Sequence, residues 1–262
     1  MTHDDQDSHK ITTRQAEIVA IVAEHGYSTL ESLASRFSVS MQSVRRDIIL
    51  LDQLRLIQRF HGGAGPSDTT TVRLGYQEKR LRGAEAKTRI AKRAVELVPE
   101  GSTIFLDVGT TVEALAQHLR GRQLGVRVFT TSLATAMLLA GEQGIELHVI
   151  GGASRGADGS LAGAKTVATI SSIRFDLAFI GYSGFDDDGA IMDYDLEKIS
   201  VKQAAIRRSN ASIALGDHSK FEQHAIAQIA PPRDFSKLIT DARPPGRLAK
   251  IFASSGLEII VG

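Results

Sequence analysis

Apolar residues in the first sixty positions recur at helical spacing. Ile18, Ile21 and Val22 make one stripe, and Thr12 with Gln15 ahead of it is capping-box spacing. This predicts a first helix running to about His25 and ended by Gly26. Leu30, Leu33, Ala34 and Phe37 fall at i, i+3, i+4 and i+7 and predict a second helix, which Ser28 with Glu31 would cap. Ser38-Val39-Ser40 breaks the pattern. Ser40 is placed to cap a third helix, with Val39 and Val44 at the spacing of a hydrophobic staple that fixes the angle between the two helices. In the third helix Met41, Val44, Ile48 and Leu51 share the stripe predicted to be buried, while Gln42, Arg45 and Arg46 occupy a different face. The run Arg59-Phe60-His61-Gly62-Gly63 then reads as a basic hairpin, a wing beside the helix pair.

Beyond residue 100 the period changes. Short apolar runs at 102–106, 126–129, 145–150, 177–180, 212–215, 237–240 and 257–261 read as strands. Helical stripes separate several of them, at 111–119, 133–140, 196–208 and 248–254. Such alternation predicts a mostly parallel, Rossmann-like sheet covered by helices. The fold class is therefore α/β: an N-terminal winged helix-turn-helix followed by a larger parallel-sheet domain. The expected organisation is a disordered tail over 1–10, a DNA-binding domain over 11–66, a linker over 67–84 and a second domain over 85–262. Gly65 to Thr71 is small, polar and interrupted by Pro66, which suits a linker. The basic segment that follows (Arg73, Lys79, Arg80, Arg82, Lys87, Arg89, Lys92, Arg93) reads as a solvated helix packed through Ile90, Ala94, Leu97 and Val98.

Composition narrows the chemistry. The formal net charge is only +1, so a nucleic-acid footprint has to be local. There is no cysteine, which removes disulfide and thiolate chemistry and fits a reducing cytoplasm. No apolar run has membrane-spanning length, and the acidic N-terminus has no signal core, so no membrane partner is expected.

Gln and Arg on an exposed face near a helix N-terminus suit the base edges and phosphates of a DNA major groove. The expected DNA contacts are Ser40, Met41, Gln42, Ser43, Arg45 and Arg46 on the third helix, with Arg59 and His61 on the wing. Asp47 is expected to orient an arginine, because phosphate repels a carboxylate.

In a parallel sheet, ligands bind beyond the carboxyl ends of the strands. The first such end is Asp107-Val108-Gly109-Thr110-Thr111. Gly109 allows a tight turn, and the helix after it offers free N–H groups and two hydroxyls, a seat for phosphate. It is no P-loop, and Thr110 with Glu113 also reads as a capping box. Later strand ends carry Thr131-Ser132, Gly151-Gly152, Ser183-Gly184 and Lys220. The expected effector set is Asp107, Gly109, Thr110, Thr111, Thr131, Ser132, Gly152, Ser183, Gly184 and Lys220, with Asp193 an acceptor for ligand hydroxyls.

Both halves resemble the DeoR family of bacterial transcriptional regulators. In the first half the likeness rests on Leu33-Ala34, Phe37 to Ser40, Val44-Arg45-Arg46-Asp47 and Arg59 to Ala64. In the second it rests on Asp107 to Thr111, Thr130 to Ser132, Gly151-Gly152, Gly181 to Gly184, Asp217 to Phe221 and Ile239 to Asp241. Asp107 to Ala114, Gly184 to Gly189, Met192 to Asp195 and Asp217 to Phe221 bring it nearest the branch that responds to glycerol 3-phosphate. The resemblance implies a sheet domain related to sugar-phosphate isomerases. It also implies a double-stranded DNA operator, a phosphorylated small-molecule effector and a homo-oligomer, dimer or tetramer. The sequence departs from the family pattern at Arg55, where Gly is frequent, at Thr131, where Asn is common, and at Tyr182, where Ala, Val or Ile is common.

No catalytic residue, cofactor or metal is expected. The alternative is an isomerase-like enzyme with an accessory DNA-binding domain, using a carboxylate base among Asp107, Glu113, Asp193, Asp195 and Glu197. A metal held by Asp217, His218 and His224 has poor spacing and no cysteine to help it. The intact reading head favours a regulator, since an enzyme has no need of one.

Overall fold

A computed structural model describes residues 11–25, 28–54, 56–60, 63–66, 76, 79–154 and 158–262. The expectations for the tail at 1–10, for Gly26, Arg55 and His61, and for linker residues 67–75 lie outside the described residues. The chain divides into two compact units, Met1–Thr71 and Val72–Gly262.

The first unit contains α1 (Thr13–His25), β1 (Ser28–Thr29), α2 (Leu30–Phe37), α3 (Met41–Gln53), β2 (Ile57–Phe60) and β3 (Gly63–Pro66). Thr12 and Gln15 cap α1 reciprocally: the Thr12 N–H donates to Gln15 Oε1 at 2.9 Å, and the Gln15 N–H to Thr12 Oγ1 at 3.3 Å. The cap of α2 differs from expectation. Thr29, not Ser28, accepts from the Ser32 N–H at 3.0 Å, because Ser28 pairs with Ala64 in the β1–β3 ladder. Ser38 ends α2 in the left-handed region (φ 52), and the Val39 N–H turns back to Ala34 O at 3.0 Å. Ser40 caps α3 as expected, accepting from the Ser43 N–H at 3.2 Å. The three helices close over Ile18, Ile21, Val22, Leu33, Ala34, Val44, Ile48 and Leu51, with Val39 packed against them. Met41 departs from the buried stripe and is 52% exposed. A helical side chain leans toward the N-terminus, so at the first helical position it projects past the helix end.

The second unit is built on a seven-stranded sheet. Its strands are β4 (Thr103–Leu106), β5 (Val126–Thr130), β6 (Ile145–Val149), β9 (Phe175–Gly181), β12 (Ser209–Leu215), β14 (Lys237–Thr240) and β15 (Glu258–Val261). They lie in the order β15-β14-β12-β9-β4-β5-β6, and every neighbouring pair is parallel. The seven strands expected from the sequence are these seven. Helices α4 (Ala84–Val95), α5 (Thr110–Leu119), α6 (Leu133–Leu139), α7 (Ala164–Ser171), α8 (Leu196–Arg207) and α9 (Gly246–Ser255) accompany them. Two apolar clusters complete the core, one including Phe105, Phe175, Ile180 and Phe252, the other Ile90, Leu106, Leu115 and Phe179.

Chain order reverses between β4 and β9: after β4 the chain moves to β5 and β6, and it returns to the other side of β4 with β9. That is a topological switch point, where loops diverge and leave a crevice. The sequence pattern missed α7 and the short strands β7 (Ala153–Ser154), β8 (Leu161–Ala162), β10 (Gly184–Phe185), β11 (Ile191–Asp193) and β13 (Ala227–Ala230).

Candidate functional site

On the first unit, α3 carries the expected reading face. Gln42, Arg45 and Arg46 are exposed, while Val44, Ile48 and Leu51 are buried. Ser40 and Ser43 are engaged with each other at the helix start, their hydroxyls 3.0 Å apart. Arg59 is exposed on β2, its N–H donating to Asp52 Oδ1 at 2.8 Å. Asp47 is buried and joins α3 to α1: it accepts from Arg14 Nε at 2.7 Å and from Gln15 Nε2 at 2.8 Å. The arginine it orients is therefore on another helix.

On the second unit, the residues at the carboxyl ends of β4 and β9 meet through a lysine the sequence reading did not single out. Lys202 on α8 is 2% exposed. Its ammonium contacts Asp107 Oδ2, donates to Gly181 O at 2.8 Å and lies 3.3 Å from Asp193 Oδ2. Asp107 also accepts from the Gly181 N–H at 3.0 Å, and Asp193 accepts from Ser183 Oγ at 2.8 Å. Burial alone would depress the Lys202 ammonium, but Asp107 and then Asp193 more than offset it and hold its pKa above the ordinary lysine value. Burial pushes the Asp193 carboxyl up, yet Lys202, Ser183 and the Tyr194 N–H bring it below the usual carboxylate range.

Gly109 has φ 139 and opens α5 with no side-chain cap. The expected capping box of Thr110 and Glu113 does not form. Glu113 is buried and turns instead to Tyr76, whose hydroxyl donates to it, and to Arg80 Nε at 3.6 Å. α5 also begins at Thr110, one residue earlier than expected. Lys87, read as part of a solvated face, is buried: its ammonium contacts Lys79 O and donates to Arg82 O at 2.7 Å. Lys79 lies in helical backbone and Arg82 in the turn just before α4, and their carbonyls satisfy the buried charge.

Lys220 follows β12 and donates to Gln223 Oε1 at 3.2 Å. Burial pushes its ammonium down to about 8; Asp217 pulls the other way, while Lys79 and Lys87 add to the depression. Burial lowers the Lys87 ammonium, while Asp217, after β12, and Glu113, in the first turn of α5, pull it the other way.

The remaining expected residues have other partners. Ser132 caps α6, accepting from the Thr135 N–H at 3.1 Å. Thr131 is fully buried, and its hydroxyl has no hydrogen-bond partner among the described residues. Gly152 lies against Ala162 and Thr166, where a Cβ would stand 2.4 Å from Thr166 Oγ1. Gly184 is packed so that a Cβ would stand 2.0 Å from Gln223 O. Of the residues offered for a metal, His218 is held by Asp241 at 2.8 Å, and Asp217 accepts from the Ser219 N–H at 3.0 Å.

Lys87 and Lys202 were detectable in principle. Lys87, Ile90, Ala91 and Ala94 fall at i, i+3, i+4 and i+7, so the lysine occupies a place in an apolar stripe. Lys202 stands three residues after Ile199 and between Val201 and Ala204-Ala205, all buried. Nothing local marks Tyr76.

Two family models match this chain: the DeoR-like helix-turn-helix domain over residues 14–70 and the DeoR C terminal sensor domain over residues 82–242. The glycerol-3-phosphate regulon repressor of Escherichia coli K12 is 34% identical over 251 residues, covering 95% of this chain and 98% of that one. The repressor of the same name from Haemophilus influenzae is 35% identical over 237 residues, covering 90% and 92%. Among solved structures, ribose 5-phosphate isomerase A from Methanocaldococcus jannaschii aligns with 55% of each chain at 20% identity and a TM-score of 0.40. With a matched reading head, a matched sensor domain and relatives alike over nearly their whole length, the chain belongs to the DeoR family of DNA-binding transcriptional regulators.

Proposed function

We propose that this protein represses a glycerol or carbohydrate catabolic operon and is released from its operator by a phosphorylated metabolite, glycerol 3-phosphate being the first to try. The observation that carries the reading is the uncapped helix start after β4, whose first turn meets Arg80 through Glu113. Gly109 leaves the first N–H groups of α5 without a side-chain acceptor, and Lys220 is strained by burial and by Lys79 and Lys87. Free backbone donors and the helix dipole favour an anion at such a place. Thr110, Thr111 and Lys220 are the residues assigned to the phosphate, and Asp193 with the Ser183-Gly184 loop to the hydroxyl end. The names of the relatives from E. coli and H. influenzae, glycerol-3-phosphate regulon repressors, support the choice of first ligand.

A regulator rather than an enzyme is further supported by the matched helix-turn-helix domain and by relatives named as repressors. Among the described residues no helix is long and apolar enough to cross a membrane. A cytoplasmic homo-oligomer is the setting proposed here, and light scattering tests the assembly.

The ligand test is calorimetry with glycerol 3-phosphate and with glycerol. The phosphate form is expected to bind, and glycerol weakly or not at all. Equal affinity would sink the reading. The pH dependence adds a second check. An anion raises the Lys220 pKa from about 8, so binding above that pH takes up a proton and weakens as pH rises further. Lys220→Met is expected to bind more weakly and to lose that dependence.

A further inference from the structure

We propose that the outer edge of β6 is a two-fold contact at which a second copy of this chain joins, so that the sheet continues from one copy into the other. The inference deepens the homo-oligomer reading above and rests on it.

β6 (Ile145–Val149) ends the sheet on one side, and among the described residues it pairs with β5 alone. Its ladder fixes which backbone groups are spare. The Val126 N–H donates to Gly144 O at 3.0 Å and the Ile150 N–H to Thr130 O at 2.9 Å, so the even-numbered residues of β6 face β5. The odd-numbered ones, Ile145, Leu147 and Val149, turn their backbone groups outward. Of these, the Ile145 N–H already donates to Glu142 O at 3.3 Å. An open edge is a template for another strand, and proteins guard against this with lysine, proline or a bulge. β6 contains neither lysine nor proline, and its register with β5 runs without a shift from Ile145 to Val149.

The strand is also complementary to itself. A two-fold axis at Leu147 sets that residue against its own copy as a hydrogen-bonded antiparallel pair, Ile145 against Val149, and Glu146 against His148. The carboxylate of each copy thus meets the imidazole of the other. That imidazole is stacked on Phe129, ring centroids 4.4 Å apart, and lies 2.8 Å from Glu146 of its own chain. An axis at Glu146 or His148 would oppose like groups and turn the bonding groups away. The other side of the sheet supplies apolar area. Ile145 and Leu147 pack against the cluster that contains Leu139 of α6. On that side Val149 is 45% exposed, and Met137 on α6 79%. The opposite edge strand, β15, lacks this fit. Paired with itself over its length it would set Glu258 against Val261, and Lys237 already engages Glu258. An isologous pair suits an operator of two inverted half-sites.

The test uses the full chain, which contains no cysteine. In the proposed register the two Leu147 Cα atoms stand about 5.5 Å apart, within disulfide reach, and the two Ile145 Cα atoms about 14 Å apart, beyond it. Under mild oxidation Leu147→Cys is expected to give a covalent dimer, and Ile145→Cys at least about tenfold less of one. Ile145→Cys combined with Val149→Cys is expected to crosslink again. Sedimentation adds a second readout. The wild type is expected to sediment as a dimer or tetramer. His148→Glu, which sets carboxylates against each other, is expected to weaken self-association by about tenfold, and adding Glu146→Lys to it to restore the association. An oligomeric wild type whose Leu147→Cys variant crosslinks no better than Ile145→Cys overturns the inference alone, and so does a charge exchange that fails to restore association. A wild type that sediments as a monomer overturns the oligomer reading, and the inference with it.

Discussion

The two units place their charges in opposite ways. In the reading head, the side chains proposed to meet DNA (Gln42, Arg45, Arg46 and Arg59) are exposed, and a buried charge, Asp47, is a joint between helices. In the sensor domain, charged groups are themselves buried (Asp107, Lys202, Lys87 and Glu113), and the residues assigned to the ligand, Thr110, Thr111, Asp193 and Lys220, are half-buried. The head can thus lose function without losing its fold, because its core is an apolar stripe that the arginines do not touch. The sensor cannot separate the two so cleanly, since each buried charge is held by the partners that shape the site. A DNA surface must present cations to a polyanion, whereas a small ligand has to be enclosed.

The strongest way to break this comparison is Lys202→Met. The change leaves Asp107 and Asp193 buried without their counter-ion and Gly181 O without its donor. Removing one partner of a buried pair costs about 3–5 kcal/mol, and urea denaturation measures it. A pH series sharpens the result. The folded-state pKa of Asp193 lies below its ordinary value, so this group contributes stability above that ordinary value, and the contribution is lost as pH falls through the folded one. The variant is expected to lack that acid-side loss. If Lys202→Met were as stable as the wild type, the sensor's buried charges would not be structural.

The same contrast decides what the sequence disclosed. The parallel sheet was legible because buried strands leave apolar runs and their connecting helices leave stripes. The exposed face proposed to meet DNA was legible because Arg45 and Arg46 sit off a clean stripe of Val44, Ile48 and Leu51. Glycine and hydroxyl residues at strand ends pointed only in outline to the site proposed above. Lys202 and Lys87 were hidden because charge in sequence suggests solvent, and burial depends on partners distant in the chain: Asp107 lies 95 residues from Lys202. Tyr76 is hidden for the same reason, its acceptor being 37 residues away. Ser28 lost the α2 cap to Thr29 through a ladder with Ala64, another long-range pairing that local spacing cannot show.

An intermediate effect is expected at the joint of the head. Asp47→Ala leaves the buried Gln15 amide and the Arg14 guanidinium without their shared acceptor. An unsatisfied buried donor costs roughly 1–3 kcal/mol. Thermal unfolding should show the loss in the transition of the first unit, with little change in the second. A loss confined to DNA affinity, with unfolding unaltered, would mean that Asp47 serves the interface rather than the fold.

The smallest effect on folding is expected at the reading face, where it separates function from stability. Arg46→Ala and Arg45→Ala alter exposed positions away from the packed stripe. Surface changes of this kind usually move stability by no more than about 0.5 kcal/mol. DNA binding should respond far more. An arginine bidentate to a guanine contributes about 1–3 kcal/mol and specifies one base position; one that meets only phosphate lowers affinity for all sequences and reduces the salt slope by about one. Titrating operator and scrambled DNA over a range of salt distinguishes the two roles for each arginine. Both variants should melt with the wild type. If they bind operator as the wild type does at every salt concentration, α3 is not the reading helix, and the division of labour between exposed and buried charge fails at its simplest point.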